Sequence, residues 1–467
     1  MKILEFPKKS SSPRPSQAGQ APFTKGGNII LALGAESAGN FSVFSNHFTT
    51  LSFRSIARNP LKVNNSTYKG FLPAEAAARN DKNKKLCSGI YFSNDFGDLL
   101  NEKNFKKFQK AVWDFLKKNK IKPNIILTDL HPLYKTTLWG AELAKKFKAE
   151  HIHVQHHIAH IFSAIGENTI FNFQFSNNFQ FSIFKQFSNS VIGIALDGTG
   201  YGFDGKIWGG EVFQLSIINY QLSIKRIGHL ENQIMIGGDL AVKEPARMLV
   251  AILAKMPSAP LTKGARGVKN GNSNLQTPLL PLIRGTNKEF IYKFVKKYYT
   301  KNQFELLYNQ LQQNFNCQET SSTGRILDAV SLLLGFCGNE RNYKHEPIDL
   351  LKKNSTKPYK LPPLIKGDRG IYTLQITYLF EYLIKNLHRD KRRLAATAQL
   401  YIAEGLYEII KKIQNTGYKI QDTYLAGGIA NNKIISSYLE TKSIITNKKI
   451  PRGDAGLSFG QIIYQLI

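Results

Sequence analysis

His156 and His160 stand four residues apart in Val154-Gln155-His156-His157-Ile158-Ala159-His160. On a helix that spacing stacks two imidazoles on one face, one turn above the other. Two imidazoles so placed can hold one divalent ion, and a remote carboxylate can complete its shell. His157 lies about 100° round such a helix and faces another direction. Asp454, in Pro451-Arg452-Gly453-Asp454-Ala455-Gly456-Leu457, is a candidate for the remote carboxylate. A His-x-x-x-His pair alone also suits a surface or a satisfied core, and an Asp before a helix suits an N-cap. The glycine-rich segments between the two narrow the choice.

Asp197-Gly198-Thr199-Gly200-Tyr201-Gly202 follows the apolar run Val191 to Leu196 and reads as a tight turn at a strand end. Its glycines let backbone approach a ligand closely, and Asp197 can bind a metal or accept a proton. Gly237-Gly238-Asp239 precedes an apolar helix. A glycine pair at a helix entry can cradle phosphate, while Asp239 also reads as a cap. Tyr424 to Asn432 reads as a strand, the pair Gly427-Gly428 and a helix start. There a ribose or phosphate can meet backbone N–H groups, with Asn432 orienting them. Thr320-Ser321-Ser322-Thr323-Gly324-Arg325 heads another helix; its hydroxyls can cap it and Arg325 can meet an anion.

These residues need a scaffold that brings distant segments together. Ile30 to Glu36 and Ile192 to Gly198 are both apolar strands ending in Gly or Ala beside a carboxylate. That likeness predicts two lobes, each an antiparallel meander followed by helix-crossed strands, facing one another across a cleft. Helical periodicity covers Lys103 to Lys118 and about Lys135 to Phe147; Asn124 to Asp129 and His151 to Gln155 read as strands. The lobes are expected over 28–190 and 191–467, after a Ser/Pro/Lys/Gly-rich tail at 1–27. Residues 171–190, 257–287 and about 354–370 do not fit the pattern. Pro260 to Gly267 matches Pro363 to Gly370, with shorter copies at Pro22 to Gly27 and Pro281 to Gly285. The copies predict one dispersed element inserted at surface loops, where added length costs little free energy.

The chain carries 63 Lys+Arg against 33 Asp+Glu in 467 residues, a net charge of +30. No arginine-rich arm or aromatic-interleaved basic stripe accompanies it, so nucleic acid is not the expected partner. The three cysteines, Cys87, Cys317 and Cys337, form no Cys-x-x-Cys pair, which argues against a thiolate zinc site and a disulfide framework. No apolar run reaches transmembrane length, so a soluble, cytoplasmic protein is expected, without membrane partners.

In their order along the chain these segments resemble the C-terminal part of the hydrogenase-maturation carbamoyltransferase family (HypF). The resemblance runs from about Leu31 to the C-terminus. Its carriers include Leu31 to Glu36, Phe96-Gly97-Asp98-Leu99, Asp129-Leu130-His131-Pro132, Val154 to His160 and Asp197 to Gly202. They continue with Trp208 to Glu211, Gly237 to Asp239, Glu244-Pro245, Thr320 to Arg325, Gly427-Gly428 and Asp454. The resemblance implies an α/β, two-lobed actin-like ATPase (ASKHA) fold with duplicated RNase H-like lobes. It implies a metal (iron, zinc or magnesium) on His156, His160 and Asp454, with Asp197 as a fourth group. It further implies ATP or carbamoyl-adenylate along Gly198, Thr199, Gly200, Gly238, Asp239, Gly427, Gly428 and Asn432. Asp197 and His157 are the candidate catalytic residues. The implied reaction passes a carbamoyl group to the C-terminal cysteine of a HypE-like acceptor, on the way to the cyanide ligand of nickel–iron hydrogenase. Family members also carry N-terminal domains that make the carbamoyl-adenylate, without counterpart in 1–27. The chain is therefore expected to be part of a split enzyme, a transferase fed by a separate protein, or a remnant. A non-catalytic ATP-binding partner and a relative of the tRNA threonylcarbamoyl-transfer enzymes are the alternatives. Ser93-Asn94-Asp95, Tyr343 to Pro347 and Ala430-Asn431 depart from the family pattern.

Overall fold

Both apolar strand openings become the central strand of a sheet. The computed structural model describes residues 29–49, 71–73, 86–172, 190–218, 221–256, 288–368, 370–415 and 419–467. The expected tail at 1–27, the stretch 257–287 and the repeat copies at 22–27, 260–267 and 281–285 lie outside them, as does most of 171–190.

The first lobe runs β1 (Ile29–Ala32), β2 (Ser42–Thr49), β3 (Phe71–Pro73), β4 (Leu86–Phe92), α1 (Glu102–Lys118), β5 (Ile125–Asp129), α2 (Lys135–Phe147), β6 (Glu150–Val154) and α3 (His156–Asn172). The sheet order is β3-β4-β2-β1-β5-β6. β1 pairs antiparallel with β2, β2 antiparallel with β4, β1 parallel with β5, and β5 parallel with β6. β1 and β5 are buried and read as apolar runs, as strands covered by helices must, whereas the edge strand β6 is buried only at Val154. Asn101 starts α1 by accepting from the backbone N–H groups of Lys103 and Asn104.

The second lobe repeats the plan. It begins with β7 (Ser190–Tyr201), β8 (Ile207–Ile218), β9 (Gln221–Leu230) and β10 (Gln233–Ile236). A helical stretch follows, with α4 (Leu240–Lys243), α5 (Pro245–Lys255), α6 (Lys288–Val295), α7 (Lys301–Gln312), β11 (Cys317–Thr320), α8 (Thr323–Leu334) and α9 (Glu346–Lys353). Then come β12 (Ile365–Asp368), β13 (Ile371–Leu374), α10 (Ile376–Lys385), α11 (Lys391–Gln414), β14 (Ile420–Ala426), α12 (Lys433–Glu440), β15 (Ile445–Thr446) and α13 (Leu457–Gln465). β7, β8 and β9 form the meander, and β14 and β15 add in parallel on the other side of β7. β1, β2, β4, β5 and β6 thus correspond to β7, β8, β9, β14 and β15, which is the predicted duplication.

Each lobe's last helix packs on the other lobe. α3 lies against β7 and β14, whereas α13 lies against β1 and β2, and the two helices pack on each other. A division at residue 191 therefore misplaces α13 in space. Glycines permit the close crossing. A Cβ on Gly460 would overlap the Ala159 carbonyl, and one on Gly166 would meet Ile463. Gln461 accepts from the Gly34 N–H at 3.0 Å, and Ser42 and Ser458 hydroxyls share a bond at 2.8 Å. A core of Val154, Ile158, Phe162, Val191, Phe213 and Phe459 spans the junction.

Two local expectations change. The expected turn at Asp197 to Gly202 is strand: β7 continues to Tyr201, and the chain reverses over Gly202 to Lys206. The register with β8 slips between Leu196 and Gly200. Pairing with β8 holds these glycines extended, and the slip re-aims Asp197 locally. Residues 354–368 are also no passive surface loop. β12 pairs with β13, which extends the sheet beside β9, and Leu361 is buried. The ring of Tyr359 lies under the guanidinium groups of Arg389 and Arg393, at 3.8 and 3.9 Å. Tyr359 thus finds partners just before α11, at Arg389, and in its first turns, at Arg393 and Thr397.

Candidate metal centre between the lobes

The swapped helices bring the two ends of the chain together. His156 and His160 occupy the first two turns of α3, and Asp454 lies just before α13. Asp197 projects from the β7 irregularity into the same point. One ligand atom from each of the four lies within 4.8 Å of all the others. His156 Nε2 and His160 Nε2 are 3.2 Å apart. Asp197 Oδ2 is 2.9 Å from the first and 3.3 Å from the second, and Asp454 Oδ1 is 3.4 Å from both. Two ligands about 2.0–2.1 Å from one tetrahedral ion would lie about 3.3 Å apart. The residues present therefore fit a metal, with two nitrogen and two carboxylate donors.

Asp129 orients the first imidazole. It ends β5 and takes a 2.6 Å hydrogen bond from His156 Nδ1, both side chains being buried. A carboxylate only accepts, so Nδ1 carries the proton and Nε2 presents its lone pair to the centre. The other Asp129 oxygen accepts from the His131 N–H at 2.9 Å, which fixes the carboxylate. Sequence reading placed a carboxylate at this strand end without assigning it. β5 lies beside β6, which feeds α3, so the adjacency was the available signal.

Glu167 holds the other side of the junction. From α3 it accepts backbone N–H groups of Lys448, Lys449 and Ile450, at 2.5 to 3.0 Å. The helix that carries the imidazoles thus also fixes the loop leading to Asp454. Arg452 ties this loop to the glycine pair, donating to the Ala430 carbonyl at 2.8 Å.

Without metal the group shares protons. Burial pushes His156 and His160 down, but the carboxylates outweigh it. Asp129, by charge and hydrogen bond, together with Asp197 and Asp454 holds His156 well above its ordinary 6.5. Bonds to Asp197 and Asp454 raise His160 as well. Burial would raise Asp197 and Asp454, yet the two imidazoles hold both below the ordinary carboxylate range.

The remaining predicted residues divide. A Cβ on Gly428 would have only Asp197 Oδ1 within reach, at 3.0 Å, so the glycine keeps backbone close to the centre. Gly427 adopts φ +98 and packs on the Leu196 carbonyl, a conformation that L side chains rarely take. Gly198 and Thr199 are half-buried in the irregularity of β7. Gly237 and Gly238 both take positive φ, and Asp239 opens α4 exposed and without a capping bond. Asp454 likewise makes no cap.

Three residues part from their expected roles. His157 is fully buried and points away from the group. Its Nδ1 accepts from the Gln155 amide at 2.9 Å, and its ring packs on Gly200 and near Trp208. Burial, reinforced by the charge on His156, keeps it neutral. Gly200 serves this packing, since any side chain there would strike the rings of His157 and His156. Asn432 is buried and fully engaged. Its oxygen caps α12 through the Ile434 and Ile435 N–H groups, and its amide donates to Gln399 at 2.7 Å.

Two of the stretches that depart from the family pattern carry a titratable group that senses the charge on Asp454. Burial raises the Asp95 carboxyl, which also senses Asp454 and Lys344. Burial lowers His345, which senses Lys344, Asp349, Asp454 and Arg325. Cys317 and Cys337 are free, and burial raises both thiols, Cys337 to about 11, so neither is an activated thiolate.

Two duplicated lobes with exchanged final helices define the actin-like ASKHA class of α/β fold, here with a His/Asp group at the junction. Residues 193–461 match the family model described as carbamoyltransferase, Kae1-like domain, second subdomain, and residues 82–167 match the HypF Kae1-like domain. The chain belongs to the HypF carbamoyltransferase family. It is 34% identical over 420 residues to a protein of Methanocaldococcus jannaschii named as a probable carbamoyltransferase HypF, covering 87% of this chain and 48% of that one. A carbamoyltransferase HypF homolog of Cupriavidus necator is 24% identical, over 80% of this chain and 85% of its own. The solved structure of T. kodakarensis HypF superposes with a TM-score of 0.68 at 24% identity, over 94% of this chain and 48% of that chain. A full-length HypF in phosphate- and nucleotide-bound form gives 0.67 at 22%, covering 94% and 55%. The chain spans about half the length of the first of these curated relatives. Among the described residues no helix is long and apolar enough to cross a membrane.

Proposed function

We propose that this chain is a metal-dependent carbamoyl-transfer module. It takes the carbamoyl group from carbamoyl-adenylate and delivers it to the C-terminal cysteine of a HypE-like acceptor, in assembly of the hydrogenase cyanide ligand. The carrying observation is the convergence of His156, His160, Asp197 and Asp454 beside Gly198 and Gly428. The phosphate- and nucleotide-bound state named for a solved relative supports a nucleotide in the cleft.

A bound metal would act as a Lewis acid, polarising the carbamoyl carbonyl or a phosphoryl oxygen. Iron or zinc suits two imidazoles with two carboxylates better than magnesium, which prefers all-oxygen shells. The chain's own residues do the rest. Asp129 fixes the His156 tautomer, and Glu167 sets the Asp454 loop. Gly198 and Gly428 let the main chain lie close to the adenylate. The acceptor supplies the attacking thiolate, consistent with the unactivated thiols of Cys317 and Cys337.

The test combines elemental analysis with transfer. Wild type is expected to hold metal and the double substitution His156→Ala with His160→Ala to lose it; equal metal content refutes the site. Carbamoyl-adenylate, supplied separately, and a peptide ending in the acceptor cysteine are expected to yield a thiocarbamate. Metal-loaded protein that gives no thiocarbamate refutes the transfer.

A further inference from the structure

Behind the irregularity of β7 lies a charged cluster that the metal centre does not use. Arg325 in the first turn of α8 and Arg341 in the loop after it both bind Oδ2 of Asp328, at 3.0 and 2.5 Å. All three side chains are more than nine-tenths buried. Two buried guanidinium groups share one buried carboxylate, and the further carboxylates whose charge reaches them are Asp197, for Arg325, and Glu346, for Arg341. Hydrogen-bonding capacity is left over as well: Nε of both arginines and Oδ1 of Asp328 have no partner. A buried guanidinium that shares its counterion and leaves N–H groups unpaired is costly, and such a cost persists where a ligand can offset it.

The cluster sits against the metal site. Ser322 caps α8 through the Arg325 N–H and donates its hydroxyl to the Gly198 carbonyl. Gly324 lets the helix end approach, since a Cβ there would lie 2.8 Å from the Gly198 Cα. The other face of Gly198 is open: a Cβ built on it would find only Arg325 Nη2 within 4 Å, at 3.9 Å. The two carboxylates of the metal centre balance a divalent ion by themselves. An anion beside Gly198 would therefore meet Arg325 Nη2, on a guanidinium that also donates to Asp328 and, at 3.4 Å, to the Val242 carbonyl, and a guanidinium suits phosphate oxygens.

We propose that Arg325, backed by Asp328 and Arg341, is a subsite for the phosphate of a nucleoside monophosphate or of its acyl derivative. It deepens the transferase reading by assigning the adenylate phosphate its counterion, and rests on that reading for placing the nucleotide in the cleft.

The test titrates the full chain with adenosine, AMP and inorganic phosphate, in wild type, Arg325→Met and Arg325→Lys. Wild type is expected to bind AMP about tenfold to a hundredfold more tightly than adenosine. Arg325→Met is expected to bring AMP to the affinity of adenosine, with adenosine unchanged, and Arg325→Lys to lie between. Inorganic phosphate should compete with AMP in wild type and not in Arg325→Met. Because Arg341 and Asp328 remain a matched pair, Arg325→Met should melt at or above the wild-type temperature, whereas a purely structural arginine predicts a fall. Equal AMP and adenosine affinities in wild type, or a ratio unmoved by substitution, overturn the proposal. If Arg325→Met does not fold, Arg325→Lys decides: an unmoved ratio overturns it, and a reduced ratio at unchanged melting temperature supports it. Metal content and carbamoyl transfer are separate readouts, so the subsite and the transferase reading can fail independently.

Discussion

Replacing Asp129 by Asn probes the centre without touching a metal ligand. The 2.6 Å bond from His156 Nδ1 lies in a buried site, so the carboxylate charge is little screened there. Asn keeps the shape and one carbonyl acceptor for Nδ1–H, yet removes the charge that makes His156 a stronger donor to metal. Changes of this kind typically lower metal affinity about 10- to 100-fold, equivalent to about 1.4–2.7 kcal/mol. The loss should fall in that range rather than abolish binding, because all four ligand groups remain. Metal affinity is read by competition with a chelator of known strength, alongside the melting temperature of the metal-free protein. An affinity within twofold of wild type in a folded variant would refute the orienting role. Loss as complete as in the double histidine variant would instead make Asp129 a ligand.

Metal-free protein should lose stability as pH rises above the ordinary imidazole value of 6.5, and metal-loaded protein should not. The raised His156 and His160 contribute stability that is complete below their unfolded value of 6.5 and vanishes as pH climbs through their folded values. On the acid side, the depressed Asp197 and Asp454 contribute above 3.8 and lose it as pH falls through their folded values. Metal replaces the shared protons, so thermal melts of stripped protein that stay flat toward alkaline pH would contradict this coupling. Gly460→Ala forces a methyl against the Ala159 carbonyl and should cost about 1–3 kcal/mol while lowering metal affinity, since the α3–α13 crossing sets the ligand spacing; denaturant unfolding and metal titration read both. Glu167→Gln weakens three backbone bonds that hold the Asp454 loop, and metal affinity should fall with little change at His156, visible in the imidazole NMR resonances. Asn432→Ala should cost about 1 kcal/mol as a lost cap and leave nucleotide affinity unchanged; a drop in nucleotide binding at unchanged stability would restore its expected role.

Much of this protein was legible from local pattern. The spacing of His156 and His160 fixed a shared helix face, because helical periodicity is a local property. The apolar runs at Ile30 and Ile192, each closing on glycine and a carboxylate, announced the duplicated sheets that pairing then produced. Ser322 was readable as a cap for the same reason. Tertiary structure alone decided that α3 and α13 exchange lobes and bring Asp454 to the imidazoles, with Gly166 and Gly460 admitting the crossing. It also turned the expected turn at Asp197 into a strand irregularity, engaged Asn432 with Gln399, and supplied Asp129 and Glu167 as supports. Those outcomes depend on which side chains meet across long sequence separations. Local propensity specifies an element and its faces, but the partner of a buried charge is chosen by packing.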